Sequence, residues 1–78
     1  MILEIITPEK KLFEGNVSSV KIPGSDGEFE ILNNHAPIIS SLISGEIRII
    51  TEKNNVEKFN IESGVIELQN NKIIILAE

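Results

Sequence analysis

An all-β fold is what this sequence predicts, on three observations. Ile, Val, Phe and Thr fill most of the apolar positions, residue types that suit a pleated and half-buried surface, whereas the helix former Ala occurs only at Ala36 and Ala77. Short apolar segments are separated at close intervals by Gly, Asn and Pro, the punctuation of a strand-and-turn chain. Several segments alternate apolar with polar residues, the period of two that places one face of a strand on a core.

Strands are expected near residues 2–7, 11–14, 17–22, 28–32, 38–43, 46–52, 55–61, 64–69 and 72–77. Most neighbours should be antiparallel, because the connections are too short for crossovers. Two hairpins are marked most sharply. Ile47–Thr51 should pair with Val56–Ile61 around Glu52-Lys53-Asn54-Asn55, and Val65–Leu68 with Ile73–Leu76 around Gln69-Asn70-Asn71-Lys72. Asn tolerates the left-handed backbone of tight hairpin turns and can stand where Gly usually does. Pro8, Pro23 and Pro37 each mark a break or strand end. Gly45 and Gly64, each ahead of a strand, read as positive-φ or tightly bent backbone. The run Ile73-Ile74-Ile75-Leu76 does not alternate, so both its faces should be covered, inside the domain or by a partner.

With 78 residues the chain reads as one domain, residues 1–78, near the lower limit of independent folding. It has no Cys and one His, which excludes a disulfide framework and makes a structural zinc site improbable. The net charge is −5, from 12 acidic and 7 scattered basic residues, so nucleic acid is not an expected partner. The three Phe are too far apart in sequence to read as a base-stacking platform unless strand pairing gathers them. The opening run MILEII is too short for a signal peptide or a membrane span.

Few residues suggest chemistry. His35 has only Asn34, Ala36 and Pro37 beside it, with no Ser-His-Asp or Cys-His constellation, so no catalytic residue is assigned. Asp26, Glu28 and Glu30 alternate with Gly27, Phe29 and Ile31, which puts the acids on one strand face and the apolar groups on the other. A solvated edge, an acidic patch for a basic partner and a hard-cation site are the three readings; the oxygen spacing of a calcium loop is absent. Gly24-Ser25-Asp26-Gly27 is a turn without the spacing of a phosphate cradle. Neither a metal nor a cofactor is indicated.

The run Asp26–Ile49, DGEFEILNNHAPIISSLISGEIRI, is the most informative stretch of the chain. It resembles the "GEFGILPGHAPLLT…L.PG.IRI" signature of the epsilon subunits of rotary ATP synthases, with Glu28, Phe29, Ile31, Leu32, His35, Ala36, Pro37, Gly45 and Arg48 matching in order and spacing. The likeness extends from Ile5-Ile6-Thr7-Pro8 and Leu12-Phe13-Glu14-Gly15 to Ile73-Ile74-Ile75-Leu76-Ala77. It implies the amino-terminal domain of that family: a flattened two-sheet β-sandwich of about ten mostly antiparallel strands. It also implies a noncatalytic rotor subunit that couples the gamma subunit to the membrane ring of a proton- or sodium-translocating synthase. By the same resemblance Thr7, His35 and Ser40 are gamma-subunit contacts, and Asp26 and Glu28 face the ring. The location implied is peripheral, on the cytoplasmic face of a bacterial inner membrane.

The chain departs from the signature in two places. Glu30 stands where the family has Gly, and Asn33-Asn34 where it has Pro-Gly. An outward Glu needs no special backbone but should make the surface more acidic, and Asn can hold a left-handed turn position. The carboxy-terminal helical hairpin, which in many family members binds ATP or extends to block rotation, is missing, and a naturally short form is favoured over an excised domain. Two readings from other classes compete. A small metal-dependent sandwich isomerase would need converging ligands that one His does not supply. A free-standing module could bind a peptide or sugar through exposed strand edges.

Overall fold

The computed structural model describes all 78 residues and contains strands only. They are β1 (Ile2–Ile6), β2 (Lys11–Gly24), β3 (Gly27–Leu32), β4 (Ile38–Leu42), β5 (Gly45–Thr51), β6 (Val56–Ile61), β7 (Gly64–Gln69) and β8 (Lys72–Ala77). There are eight strands, not nine or ten, because the segments expected at 11–14 and 17–22 form one strand. β2 runs unbroken through Gly15 and Asn16, with register shifts only at Leu12 against β1 and between Val17 and Ser19 against β5. Pro23 likewise lies within β2, buried and paired with Glu28, while its carbonyl accepts the Ile43 amide at 2.9 Å. It sits one pair before the turn, next to the closing pair Gly24↔Gly27, where a missing N–H disrupts little of the ladder.

The length of β2 organises the molecule. Its first half pairs with β1 (Leu3↔Gly15, Ile5↔Phe13), and its second half lies between β3 (Val20↔Ile31) and β5 (Val20↔Ile49). Hydrogen bonding is therefore continuous through all eight strands, and the sheet folds over on β2 to make two layers. One layer carries β4, β7, β8, β1 and the start of β2; the other carries β3, the end of β2, β5 and β6. The pair Gly24↔Leu42 brings β2 back to β4. All pairings are antiparallel except β1 with β8, which runs parallel. The principal extents of 27 × 24 × 18 Å describe a flattened sandwich, in keeping with sheets that pack about 10 Å apart.

Alternation explains the core. Inward residues of every strand, among them Leu3, Ile5, Val20, Ile22, Ile31, Ile47, Ile49, Ile66 and Ile75, form one cluster of 16 buried apolar side chains. Phe13 of the first layer meets Phe59 of the second edge to face, with ring centroids 6.2 Å apart. Strand pairing thus gathers two of the three Phe, but half-buried against the core and not as an open platform.

Both expected hairpins form: Leu68↔Ile73 and Gln69↔Lys72 close one in the register its turn implies, whereas in the other Val56 pairs with Ile50 and not with Thr51, one residue away from the pairing a turn at 52–55 would give. Asn70 (φ 51°) and Asn71 (φ 61°) occupy the two left-handed positions of a two-residue turn, and Asn54 (φ 65°) does so in the longer one. Asn34 (φ 64°) fills the place of the signature's Gly. Gly45 and Gly64 differ from expectation. Neither has positive φ; a Cβ at Gly64 would lie 2.6 Å from the Leu76 carbonyl oxygen, and one at Gly45 would lie 2.9 Å from Pro23 Cβ. Close approach of neighbouring strands selects glycine there. Ile73 and Ile75 are buried and Leu76 is exposed, so the Ile run does alternate, and its outer face is not covered within the domain.

Ile47→Ala, which removes a fully buried side chain from the centre of the cluster, is expected to cost about 2–5 kcal/mol in urea unfolding. Asn71→Ala should cost about 1–2 kcal/mol from backbone strain alone, and more because Asn71 Oδ1 accepts the Asn34 amide at 3.0 Å. A thermal melt of each variant checks both.

Candidate docking surface

The outward residues of the first layer form a face of mixed character. In one row, Ser41, Val65, Leu76 and Ile6 are neighbours across β4, β7, β8 and β1; in the next, Ile39, Glu67, Ile74 and Glu4 are. Ile39 is 74% exposed, Leu76 54% and Val65 45%. Apolar side chains set side by side on a sheet face mark a surface that another molecule covers, where scattered ones would need no explanation. Glu4 tempers the face: Lys11 lies 3.2 Å and Lys72 3.7 Å from its carboxylate. The Lys11 ammonium, held first by Glu14 at 3.0 Å and then by Glu4, has its pKa raised.

Thr7 borders this face. It lines an open cleft of about 500 Å³ with Ile6, Gly64, Val65 and Leu76. Its hydroxyl is engaged locally, donating to the Lys10 carbonyl at 2.9 Å and accepting the Lys10 amide at 3.2 Å, which fixes the turn through Pro8 and Glu9. His35 is exposed on the loop between β3 and β4, its Nδ1 2.7 Å from the Ala36 carbonyl. That loop is tied to two distant parts of the chain: the Met1 ammonium donates to Asn33 Oδ1 at 2.8 Å, and the Asn34 amide donates to Asn71 Oδ1. Ser40 does not join Thr7. It lines a different cleft, of about 360 Å³, with Asp26, Glu28, Phe29, Ile38 and Ile39. The residues assigned to two partners by resemblance are therefore grouped otherwise in space: Ser40 lies with the two acids.

The alternation expected of β3 is present, with Glu28 and Glu30 outward and Phe29 and Ile31 turned to the core. The acids are nevertheless not all free. Lys21 Nζ is 3.2 Å from Glu28, and Arg48 Nη2 donates to Glu30 Oε2 at 2.7 Å and to Ser19 Oγ at 2.7 Å. The Ser19 hydroxyl itself donates to Glu30 at 2.5 Å. Register brings them together, since Lys21 pairs with Glu30 on one side and with Arg48 on the other. The Glu30 carboxyl is held below the usual range, first by the Ser19 hydroxyl and then by the Arg48 guanidinium. Glu30 does not, as its place in the sequence suggested, simply make the surface more acidic; it neutralises Arg48. Sequence reasoning missed Ser19 and Arg48 as its partners. Cross-strand register supplied the missing signal, and it depends on the bulge after Val17. Arg48 Nε remains buried without a partner.

The sandwich thus presents a sheet face on which Ile39, Val65 and Leu76 are exposed and, at its edge, a cleft bordered by Asp26 and Glu28. The model of the ATP synthase delta/epsilon chain β-sandwich domain matches residues 1–78. The chain is 43% identical over 76 residues to an ATP synthase epsilon chain of Chlorobium limicola, covering 97% of this chain and 86% of that one. It is 43% identical to one of Campylobacter curvus, of which it covers 59%. It belongs to the delta/epsilon family of ATP synthase chains. Among solved structures, a chain of the Euglena gracilis mitochondrial ATP synthase, in an OSCP/F1/c-ring assembly, superposes with a TM-score of 0.92 at 18% identity, over 99% of this chain and 49% of that one. One from the Tetrahymena thermophila mitochondrial ATP synthase central stalk and c-ring does so at 0.81 and 21%, over 99% and 62%. Both show the same fold.

Because Glu30 has a lowered folded-state pKa, its contribution to stability is present above the unfolded value near 4.5 and is lost as pH falls through the folded one. Glu30→Gln should thus be less stable than the unsubstituted chain at pH 7, with the gap closing as the solution is taken below pH about 4. Urea midpoints measured across that range check it; a gap independent of pH would contradict the assignment.

Proposed function

We propose that this chain is a noncatalytic central-stalk subunit of a proton- or sodium-translocating ATP synthase, which joins the gamma subunit to the membrane ring so that torque passes between them. The observation that carries the reading is the outward face of β4, β7, β8 and β1, where Ile39, Val65 and Leu76 stand exposed on a sandwich whose family is shown over its whole length. Gamma covers this face, with Thr7 at one border and His35 on the side of β4, and it reaches Ser40 through the neighbouring cleft that Ser40 shares with Asp26 and Glu28. The ring lies against the end of the sandwich that bears Asp26 and Glu28. Residues 1–78 act as one unit, needing neither metal nor cofactor, and ATP turnover belongs to other chains of the complex. Within a bacterium its place is peripheral, on the cytoplasmic face of the inner membrane.

The role is mechanical, and the structure suits it. Val65 and Leu76 are each held by strands on both sides, Val65 between Ser41 and Leu76 and Leu76 between Val65 and Ile6. A side chain held in this way loses little further freedom on binding.

Native mass spectrometry of the chain mixed with gamma subunit from the same organism tests the proposal, and a one-to-one complex is expected. A chain that stays folded and unbound would favour the free-standing module. Val65→Glu with Leu76→Lys should weaken that complex by about tenfold to a hundredfold, the loss of on the order of 1.4–3 kcal/mol of apolar burial. Since both side chains are largely exposed, the melting temperature should hardly move.

A further inference from the structure

The loop between β3 and β4 is held from outside itself. The His35 amide donates to the Leu32 carbonyl at 3.3 Å and closes a four-residue turn in which Asn34 alone has positive φ. That is the pattern of a type II turn, which favours Pro at its second residue, where φ is preset, and Gly at its third, where a side chain is strained. The family signature has Pro-Gly at these two places, and this chain has Asn33-Asn34. The turn is the one that Pro-Gly makes, built from residues that hold it less stiffly.

Two ties offset that loss. Asn33 Oδ1 accepts the Met1 ammonium at 2.8 Å, and the same ammonium donates to the Val17 carbonyl at 3.2 Å. The Asn34 amide donates at 3.0 Å to Oδ1 of Asn71, in the turn between β7 and β8. The main-chain carbonyl of Asn71 accepts the Ile2 amide at 3.2 Å. One residue thus joins the start of β1 to the β3–β4 loop, 37 positions away in sequence. Its identity suits that task better than it suits its own turn. In a two-residue hairpin turn with both φ positive, Gly is the favoured second residue, and here Asn70 (φ 51°) is followed by Asn71 (φ 61°). A side chain at that place adds nothing the turn requires, whereas its oxygen is the only partner of the Asn34 amide.

We infer, on the stalk reading above and as a deepening of it, that Asn71 is a positioning residue for docking: by holding the Asn34 amide it fixes the β3–β4 loop, and with it His35, in the shape that the gamma subunit receives. Asn33 to Pro37 are all exposed, so hydrogen bonds and not packing restrain the loop. A loop ordered before contact loses less freedom on binding. The loop takes its docking shape only once the β7–β8 turn has formed.

Asn71→Gly separates the two duties of the residue, since Gly keeps the turn and removes the oxygen, while Asn71→Asp keeps both the oxygen and the tolerance of positive φ. In the full chain alone, Asn71→Gly is expected to speed hydrogen exchange of the Asn34 amide about threefold to tenfold and to lower the NMR order parameters of residues 33–36, with the melting temperature hardly moved. Asn71→Asp should match the unsubstituted chain in all three. With gamma subunit from the same organism, Asn71→Gly should bind about threefold to tenfold more weakly, and Asn71→Asp should bind as the unsubstituted chain does. Adding Asn33→Pro and Asn34→Gly to Asn71→Gly stiffens the turn from within and should restore the affinity. An Asn34 amide that exchanges no faster in Asn71→Gly would overturn the clamp. Undiminished gamma binding by a variant whose loop is freed would overturn the positioning role, as would a loss that the added turn substitutions do not recover, which would place Asn71 in the interface itself. The stalk reading survives all three of these results. An unsubstituted chain that does not bind gamma would overturn the stalk reading and the docking role together, and amide exchange in the chain alone would still decide the clamp.

Discussion

One strand holds this protein together. β2 is long enough to belong to both layers, and every other constraint follows from its path. Its first half carries β1, its second half carries β3 and β5, and its last residue touches β4. A small sandwich normally has two sheets held only by the apolar contact between them. Here the sheets are one hydrogen-bonded structure, so sliding one layer over the other would break backbone bonds as well as expose the core. For a chain of 78 residues, with a core of 16 side chains, that covalent and hydrogen-bonded link is a large share of what keeps the layers in register. It also suits a part that must carry load without shearing.

Register is the second theme. Arg48, Lys21 and Glu30 are distant in sequence, yet they lie in one row because β3 and β5 flank the same stretch of β2. The row makes a departure from the family signature intelligible. A Glu in place of Gly meets an Arg that would otherwise look to solvent or to a partner, and a Ser hydroxyl completes the cluster. The unpaired Arg48 Nε is the local cost, of about 1–3 kcal/mol for a buried donor without an acceptor.

Much of the fold was legible in the sequence, and for local reasons. Paired Asn residues announced hairpins whose registers the hydrophobic alternation then fixed, as Leu68 opposite Ile73 shows. What could not be read was non-local. Nothing near Gly15 and Asn16 reveals that β2 continues through them, since Gly and Asn ordinarily end strands. Gly45 and Gly64 looked like bends because their true constraint, the approach of Pro23 and of the Leu76 carbonyl, comes from other strands. The site was less legible than the fold. Alternation placed Glu28 outward, but whether that carboxylate is free depends on Lys21, which only pairing brings near.

The parallel pairing of β1 with β8 carries a consequence for how the molecule is made. Ile2–Ile6 finds one of its two neighbours only in Lys72–Leu76, at the far end of the chain. During synthesis the first strand leaves the ribosome with β2 as its only early companion and one apolar edge open. That edge stays open until β8 has been made. Closing so long a loop is slow relative to local hairpin formation, so β1 remains half-paired while β3 to β7 are already able to form their own hairpins.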